Sequence, residues 1–372
     1  MIELITSLGL FSAVLYLLIL LYLVIGIIRT KKGKTDKQPS VSVIVAAHNE
    51  SLNIVTCIDA ILNQDYPQKN IEIIIVNDRS KDDTGTILSK YEKKYSFLNV
   101  ITINEAKESG SPKKYALSLA VAASKGEIIA TTDADCKPEK NWLTKLASNF
   151  TPETGMVVGL APLKPTTWWM STFVCIDAII GNIIAFGSLG WNHAVTCTGR
   201  NFSYRKQLFE DINGFAGIEH ILSGDDDLFM MKAARKTNWI IKFISDDQAA
   251  VTSFAPTGWH HFITQRKRHI SASKYFPLFV KIGYIIAFLA KLFIMLYLVL
   301  SIILKIDIEF PLMLIIFSYF ITFILLMIIG CKTGQGRLLI LYPIWEIYYL
   351  LNNILLGPLG LLGRITWGDR NV

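Results

Sequence analysis

The chain has 372 residues, 52% of them apolar and 18% charged, and its 37 Lys and Arg against 30 Asp and Glu give a formal charge of +7. Soluble domains run to about 45–50% apolar and about 25% charged, so a disordered tail and a disulfide-stapled miniprotein are excluded and a purely soluble protein is disfavoured. The length exceeds what a few membrane helices need, which predicts a globular domain beside them.

Leu4 to Ile28 carries no charge and is long enough to cross a hydrocarbon core of roughly 30 Å. Arg29, Lys31, Lys32, Lys34 and Lys37 follow, against a single Asp36. A cleaved signal would carry positive charge before the apolar run and small residues after it. Here Glu3 precedes and Thr30-Lys31-Lys32 follows, so residues 1–28 read as an uncleaved anchor and 29–39 as a basic linker. The positive-inside rule places the N-terminus outside and Lys31 onward in the cytoplasm.

Residues 40–255 alternate strand-like and helix-like runs. Val41 to Ala46 is β-branched and ends at His48-Asn49-Glu50; Ile54, Ile58, Ile61 and Leu62 then share a helical face. Ile71 to Val76 is a second strand, ended by Asn77-Asp78-Arg79-Ser80, and Asp82 or Asp83 caps the helix holding Ile87 and Leu88. Asn99 to Ile103, the helix Lys113 to Ala123 and the strand Ile128 to Thr132 continue the pattern. This order predicts an α/β fold with a mostly parallel sheet covered by helices. Ligands sit at the carboxyl ends of such strands, where Glu50, Asp78, Asp133 and Asp135 fall.

Trp168 to Trp191 is apolar apart from Asp177 and Asn182, and reads either as a membrane-surface helix or as core. Residues 256–275 read as an interfacial amphipathic helix, with Trp259, Phe262, Ile263 and Ile270 at helical spacing. Residues 276–363 form the C-terminal membrane region. Phe276 to Leu304 and Phe310 to Gly330 are two spans, their short loop facing outward, with Lys332 and Arg337 back in the cytoplasm. Pro343, Glu346, Asn352, Asn353 and Pro358 interrupt Leu338 to Leu362, which is either one broken span or a re-entrant pair. The re-entrant reading keeps the tail, residues 364–372 with Arg364 and Arg370, inside.

Five cysteines (Cys57, Cys136, Cys175, Cys197, Cys331) are odd in number and show no C-x-x-C, so neither a zinc nor a disulfide framework is present. His193, His220, His260 and His261 lack metal-ligand spacing, and the last two are expected at lipid headgroups.

Three constellations carry chemistry. Asp133-Ala134-Asp135 closes a strand, and two carboxylates so placed suit a hard cation such as Mg2+ or Mn2+ that also takes phosphate oxygens. The alternative is a turn with a capping Asp. Asp225-Asp226-Asp227 follows Gly224; three adjacent acids repel unless a cation or proton relieves them, and one suits a general base, or all three simply open a helix. Gln265-Arg266-Lys267-Arg268-His269 offers guanidinium forks for phosphate, or a basic edge for anionic lipid. The basic excess lies beside the apolar spans, so lipid and phosphate explain it better than nucleic acid does.

In this order the motifs resemble a membrane-bound family 2 glycosyltransferase with a GT-A fold, over about residues 40–275. Val45-Ala46-Ala47-His48-Asn49-Glu50 resembles V-P-x-Y-N-E, with Ala46 for proline and His48 for tyrosine. Val76-Asn77-Asp78-Arg79-Ser80-Lys81-Asp82-Asp83-Thr84 resembles V-D-D-x-S-x-D-x-T, and Lys113 to Leu117 resembles K-x-x-A-L. Asp133 and Asp135 stand as the D-x-D, Gly199-Arg200-Asn201 as G-x-N, Gly224-Asp225-Asp226 as G-E-D, and Gln265 to His269 as Q-x-x-R-W with His269 for tryptophan. Trp367 to Arg370 resembles the W-x-G-R ending of some relatives.

The resemblance implies a Rossmann-like GT-A sheet with helices on both faces and terminal transmembrane helices. It implies a nucleotide-sugar site at Glu50, Asp78, Lys113, Asp133 and Asp135, with Asp135 and Asp133 holding Mg2+ or Mn2+. Asp226, beside Asp225, inherits the base role. Gly199, Asn201, Gln265, Arg266 and Arg268 belong to the acceptor and pyrophosphate region. The expected enzyme is an inverting, metal-dependent hexosyltransferase of the inner membrane. It uses a nucleotide-diphosphate sugar, with UDP the family-weighted nucleotide, and a membrane lipid or lipid-linked acceptor. Rival readings are a processive polysaccharide synthase and a scaffold or binding module that lost catalysis.

Overall fold

The computed structural model describes residues 2–30, 33, 35–105, 110–362, 366, 367, 370 and 371. The linker residues Lys31, Lys32 and Lys34, Arg364, and Gly368 and Asp369 of the W-x-G-R-like ending lie outside the described residues.

The chain opens with the apolar helix α1 (Ile2–Arg29). Then come β1 (Val41–Ala47), α2 (Ile54–Leu62), β2 (Ile71–Asp78), α3 (Thr84–Lys94), β3 (Leu98–Ile103), α4 (Pro112–Ala123) and β4 (Ile128–Asp133). The β-branched runs make these strands because they are buried on both faces, as a helix-covered parallel sheet requires. α4 starts where Ser111 caps it by accepting the Lys114 N–H and Pro112 fills the first turn. Next are β5 (Lys137–Pro138), α5 (Trp142–Ala147), β6 (Thr154–Gly159), β7 (Leu163–Lys164), α6 (Ser171–Leu189), β8 (Phe202–Arg205), α7 (Lys206–Asp211), α8 (Asp227–Lys236), β9 (Ile240–Ile244) and β10 (Val251–Phe254). The C-terminal part holds α9 (Trp259–Ala272), α10 (Leu278–Leu304), α11 (Glu309–Lys332) and α12 (Tyr342–Leu362), then the short β11 (Thr366–Trp367) and β12 (Arg370–Asn371).

Seven strands form the central sheet in the order β3-β2-β1-β4-β8-β6-β9. Only β8 runs against its neighbours, so the sheet is mostly parallel, as expected. The register aligns Ala46 with both Val76 and Asp133, which brings the ends of β1, β2 and β4 to one edge. Val43, Val45, Ile73 and Ile75 pack against α2 and α5, while Ile44, Ile74 and Val76 face α4 and α6.

α6 resolves the two readings of Trp168 to Trp191. It is a buried layer between the sheet and the long helices, with Phe186 stacked on Phe243 of β9 at 5.1 Å. On its other side α1 approaches so closely that a Cβ on Gly26 would lie 1.8 Å from the Gly187 carbonyl oxygen. Among the described residues five helices (α1, α6, α10, α11, and the segment containing α12) are long and apolar enough to cross a membrane. Outward residues of α1, α10 and α11 such as Phe11, Ile285 and Phe320 are exposed large apolar side chains.

The segment Leu338 to Leu362 holds one helix rather than a re-entrant pair of helices. A short 3-10 turn, Gly336–Leu341, leads into one continuous helix. Pro343 sits in its first turn, where a missing N–H costs nothing. Glu346 is paired with Lys291, so its charge does not interrupt the helix. α12 runs beside α9 in the same direction, with Tyr348 against Phe262 and Gly360 against Ile270.

Candidate active site

The loops after β1 and β2 are tied together. Asn49 takes a left-handed conformation (φ 56°), and its Oδ1 accepts the Lys81 N–H at 2.8 Å while its own N–H donates to Ser80 Oγ at 3.1 Å. The Glu50 N–H donates to Thr84 Oγ1 at 2.9 Å, and Asp82 Oδ1 accepts the Thr84 N–H at 3.0 Å. Asp78 is buried at the end of β2; its Oδ1 accepts from Arg79 Nε at 2.7 Å, and its carbonyl meets His48 Nδ1 at 2.6 Å. His48, the replacement for tyrosine, thus joins the β1 and β2 ends. Burial pushes the Glu50 carboxyl up to about 6, and repulsion from Asp135 and Asp133 adds to this against the Asn53 hydrogen bond. Glu50 is thus within charge reach of the D-x-D.

Asp133 ends β4. Lys113, from the first turn of α4, places Nζ 2.8 Å from Asp133 Oδ1 and 2.8 Å from Asp225 Oδ2. Asp135 is exposed and accepts Ser253 Oγ–H at 3.0 Å. One ligand atom each from Asp133, Asp135 and Cys136 lie within 4.8 Å of one another. Burial, with the two neighbouring carboxylates, pushes the Cys136 thiol well up, so the carboxylates are the ligands this group offers. Two carboxylates with open positions fit a hard divalent ion that shares phosphate oxygens.

Gly224 precedes the acids at φ 74°, a left-handed turn where a Cβ would lie 2.6 Å from Leu228 Cγ. Asp226 receives two backbone donors, Gly199 N–H on Oδ2 and Asp227 N–H on Oδ1, both at 2.7 Å. Asp227 Oδ1 accepts Cys197 N–H at 2.6 Å and Thr196 Oγ1–H at 3.2 Å. Burial raises Asp225, but the Lys113 charge and hydrogen bond outweigh it and hold the carboxyl below its usual range. Asp226 is pushed up by burial and then by the Asp225 charge. Two adjacent acids are thus driven apart, the arrangement that separates an ionised binder from a proton acceptor.

Residues 128–332 match the family model described as "Glycosyl transferase family group 2", and residues 42–213 match "Glycosyl transferase family 2". The chain belongs to the family 2 glycosyltransferases. It is 31% identical over 242 residues to "Probable glycosyltransferase YdaM" of Bacillus subtilis, covering 64% of this chain and 56% of that protein. It is 35% identical over 123 residues to "Beta-monoglucosyldiacylglycerol synthase" of Trichormus variabilis, covering 33% of this chain and 26% of that one. The chain therefore spans about half or less of the length of these curated relatives. The fold is similar to that of a mannosyltransferase of Pyrobaculum calidifontis solved with GDP-Man and Mn2+. The TM-score is 0.59 at 18% identity, over 94% of this chain and 99% of that one. That likeness shows the GT-A fold.

In this glycosyltransferase the sheet edge gathers Glu50, Asp78, Lys113, Asp133, Asp135, Asp225, Asp226 and Gly199. Two motif residues stand elsewhere. Asn201 is fully buried; its Nδ2 donates to the Leu160 and Ala249 carbonyls at 2.8 Å each, and its Oδ1 accepts Trp142 Nε1–H at 2.9 Å. Its polar atoms fasten the 3-10 turn Gly199–Asn201 to the scaffold and leave nothing for an acceptor. Arg266 pairs with Asp177 of α6, and its Nη2 donates to Tyr348 Oη at 3.3 Å. Trp345 Nε1–H and Tyr348 Oη–H complete Asp177 at 2.8 and 3.0 Å. One helical turn after Phe262, Arg266 lies on the α9 face packed against α12, with its charge taken by Asp177. Gln265 is half-buried on α9. The Arg268 charge acts on Asp225, and His261 lies within charge reach of Asp135 rather than only at headgroups.

Lys114 was not singled out by its sequence. It is buried, and its Nζ donates to the carbonyls of Ile218, Ile221 and Ser223 at 2.9, 2.6 and 2.8 Å, shaping the loop that delivers the acids. Burial pulls its pKa down to about 8. A second lysine directly after Lys113 is the only sequence signal for it.

Proposed function

We propose that this glycosyltransferase moves a sugar from a nucleotide-diphosphate sugar, with UDP the first nucleotide to test, to a hydroxyl of a membrane lipid or lipid-linked acceptor. The observation that carries the reading is the junction of the D-x-D turn and the Asp225-Asp226 pair through Lys113, beside α9 and the long apolar helices. The name of the Trichormus relative, a glucosyldiacylglycerol synthase, supports a lipid acceptor.

Glu50 and Asp78 hold the nucleotide end, and Lys113 meets the diphosphate. Asp133 and Asp135 would hold Mg2+ or Mn2+, which would supply positive charge against the departing diphosphate. Asp226 takes the proton from the acceptor hydroxyl. The hydroxyl oxygen forms its bond to the anomeric carbon as the bond to the diphosphate oxygen breaks on the opposite face, inverting the configuration. The Gly199 and Asp227 N–H groups hold both Asp226 oxygens in place. Gln265 and Arg268 close over the phosphates from α9. α1, α10 and α11 span the inner membrane with the catalytic domain cytoplasmic, and α9 lies at its surface, so lipid and active site meet at high effective concentration.

The test is to incubate membranes carrying the chain with a panel of radiolabelled nucleotide sugars, then extract lipids. Label in the lipid fraction from one donor, absent with Asp226→Asn, is the expected result. A panel that leaves every lipid unlabelled contradicts the lipid acceptor, and a ladder of long water-soluble products points to polymer synthesis instead.

A further inference from the structure

Tyr204 stands in β8 among phenylalanines. Its ring centre lies 5.7 Å from that of Phe202, 5.9 Å from Phe209 and 5.0 Å from Phe229, and the residue is 2% exposed. A phenylalanine would serve this packing equally well. The hydroxyl is what differs, and it is buried without a hydrogen-bond partner. Leaving a buried donor unpaired is costly, so the Oη–H group calls for an acceptor beside it.

The acceptors are at hand. Tyr204, Asp225 and Asp226 line one cavity with about 10 Å3 open to the centre of a water molecule. That is the room for a single water. Leu117, Phe202 and Phe215 form its apolar walls and are themselves buried, so the cavity lies on the core side of the acids and not where an acceptor hydroxyl would enter. Thr131 also borders it, but its Oγ1–H is spent on the Phe202 carbonyl at 3.0 Å. The phenol and the carboxylates are complementary. Burial, then the Asp225 charge, push the Tyr204 phenol above its usual range, so it keeps its proton and donates. Asp225, paired with Lys113, is ionised and only accepts. A water can accept from the phenol and donate to both acids, and three partners fit the two to four that buried waters usually have.

We propose that one enclosed water bridges the Tyr204 hydroxyl to the Asp225 and Asp226 carboxylates, which makes Tyr204 a positioning residue for the proton acceptor. The inference rests on the transferase reading for the role of Asp226 and deepens it. Donors to a carboxylate favour its ionised form. The water therefore works against the burial and the Asp225 charge that raise Asp226, and keeps the base ready to accept a proton. The other groups acting on the pair are Lys113, Lys114 and Arg268 around Asp225, and the Asp227 carboxyl with the Gly199 and Asp227 N–H groups around Asp226.

The test uses the full chain in detergent and compares the parent with Tyr204→Phe, which keeps the ring and removes the hydroxyl. A crystal structure of the parent, at a resolution that shows ordered water, has one water within hydrogen-bond distance of Tyr204 Oη and of an Asp225 or Asp226 oxygen. No water there, or a phenol bonded directly to a carboxylate, overturns the bridge. In thermal unfolding at pH 7.5 Tyr204→Phe melts below the parent, because the water loses a partner. A variant that melts at or above the parent overturns the proposal, since deleting an unpaired buried hydroxyl relieves a cost. In the pH dependence of kcat/KM for sugar transfer, at saturating Mn2+, the acid limb of Tyr204→Phe moves up by about 0.5–1 pH unit, the size expected for losing one hydrogen bond to an ionised carboxylate. An acid limb that stays in place overturns the positioning role. If the parent transfers sugar from no donor, the transferase reading fails, while the crystal structure and the melting temperatures still decide the water.

Discussion

Lys113 reaches Asp133 across 20 residues of sequence to make a 2.8 Å ion pair, and the same ammonium stands 2.8 Å from Asp225. One side chain from the first turn of α4 therefore joins the D-x-D turn to the acids before α8. Without it, Asp133 and Asp225 would face each other as like charges.

Lys113→Met tests that junction. Removing one partner of a buried pair costs about 3–5 kcal/mol, and the one-third exposure of Asp133 places this site at the low end, about 3 kcal/mol at pH 7. Asp225 is held below its usual value of 3.8, so its contribution is present above pH 3.8 and is lost as pH falls through the lowered value. Thermal unfolding should show the full Lys113→Met deficit at pH 7 and a shrinking one at pH 3.5. An equal deficit at both would mean the lysine acts through packing alone.

Glu50 gives the opposite slope. Its pKa rises from 4.5 to about 6, chiefly by burial. A carboxyl raised on folding destabilises once ionised, so the cost is absent below pH 4.5 and complete above pH 6. Glu50→Gln removes a cost of at most about 2 kcal/mol. Its melting temperature should exceed that of the parent at pH 7.5, and the difference should vanish at pH 4. A gain that persists at pH 4 would contradict the electrostatic origin.

Asp135 carries the metal prediction. Its exposed carboxylate is held by Ser253 but has no cation partner among the described residues. Asp135→Ala should weaken Mn2+ by at least about 100-fold in calorimetry, since even outer-shell losses cost about 10–100-fold. EDTA should abolish transfer by the parent chain, and added Mn2+ should restore it.

Much of this was legible in the residues. The β-branched runs from Val41, Ile71 and Ile128 became adjacent parallel strands, and the acids after them fell at one sheet edge because register follows from burial on both faces. Other roles depended on tertiary neighbours that no local pattern encodes. Arg266 and Arg268 are both basic and two positions apart, yet Asp177, Trp345 and Tyr348 claim the first. Asn201 looked like part of an acceptor motif because its polarity was visible, while the carbonyls that use it lie 41 and 48 residues away. Lys114 differs from Lys113 only in the direction it faces. The continuity of α12 was hidden because Pro343 and Glu346 read as breakers until their first-turn position and ion pair are known.

The Asp177 cluster gives a stability prediction. Asp177→Asn leaves the Arg266 guanidinium buried without its carboxylate and should cost about 3–5 kcal/mol. Tyr348→Phe removes only hydrogen bonds and should cost about 1 kcal/mol. The double variant Asp177→Asn with Arg266→Met should recover part of the first loss, because the two residues form one unit. Thermal unfolding of these proteins and of the Arg266→Met single variant in one detergent checks this, and strict additivity of the Asp177 and Arg266 changes would contradict it.

In the proposed reaction Asp226 takes the acceptor's proton, so its replacement is the most direct measurement. Asp226→Asn keeps the shape of the group and an oxygen for one of its two backbone donors, leaves the other facing the amide NH2, and removes the basicity. Sugar transfer by the purified chain should fall by about 100- to 10,000-fold, the range a general base contributes, while calorimetry shows Mn2+–pyrophosphate binding within twofold of the parent. Transfer at the parental rate by the folded variant would contradict the assignment of Asp226 as the proton acceptor.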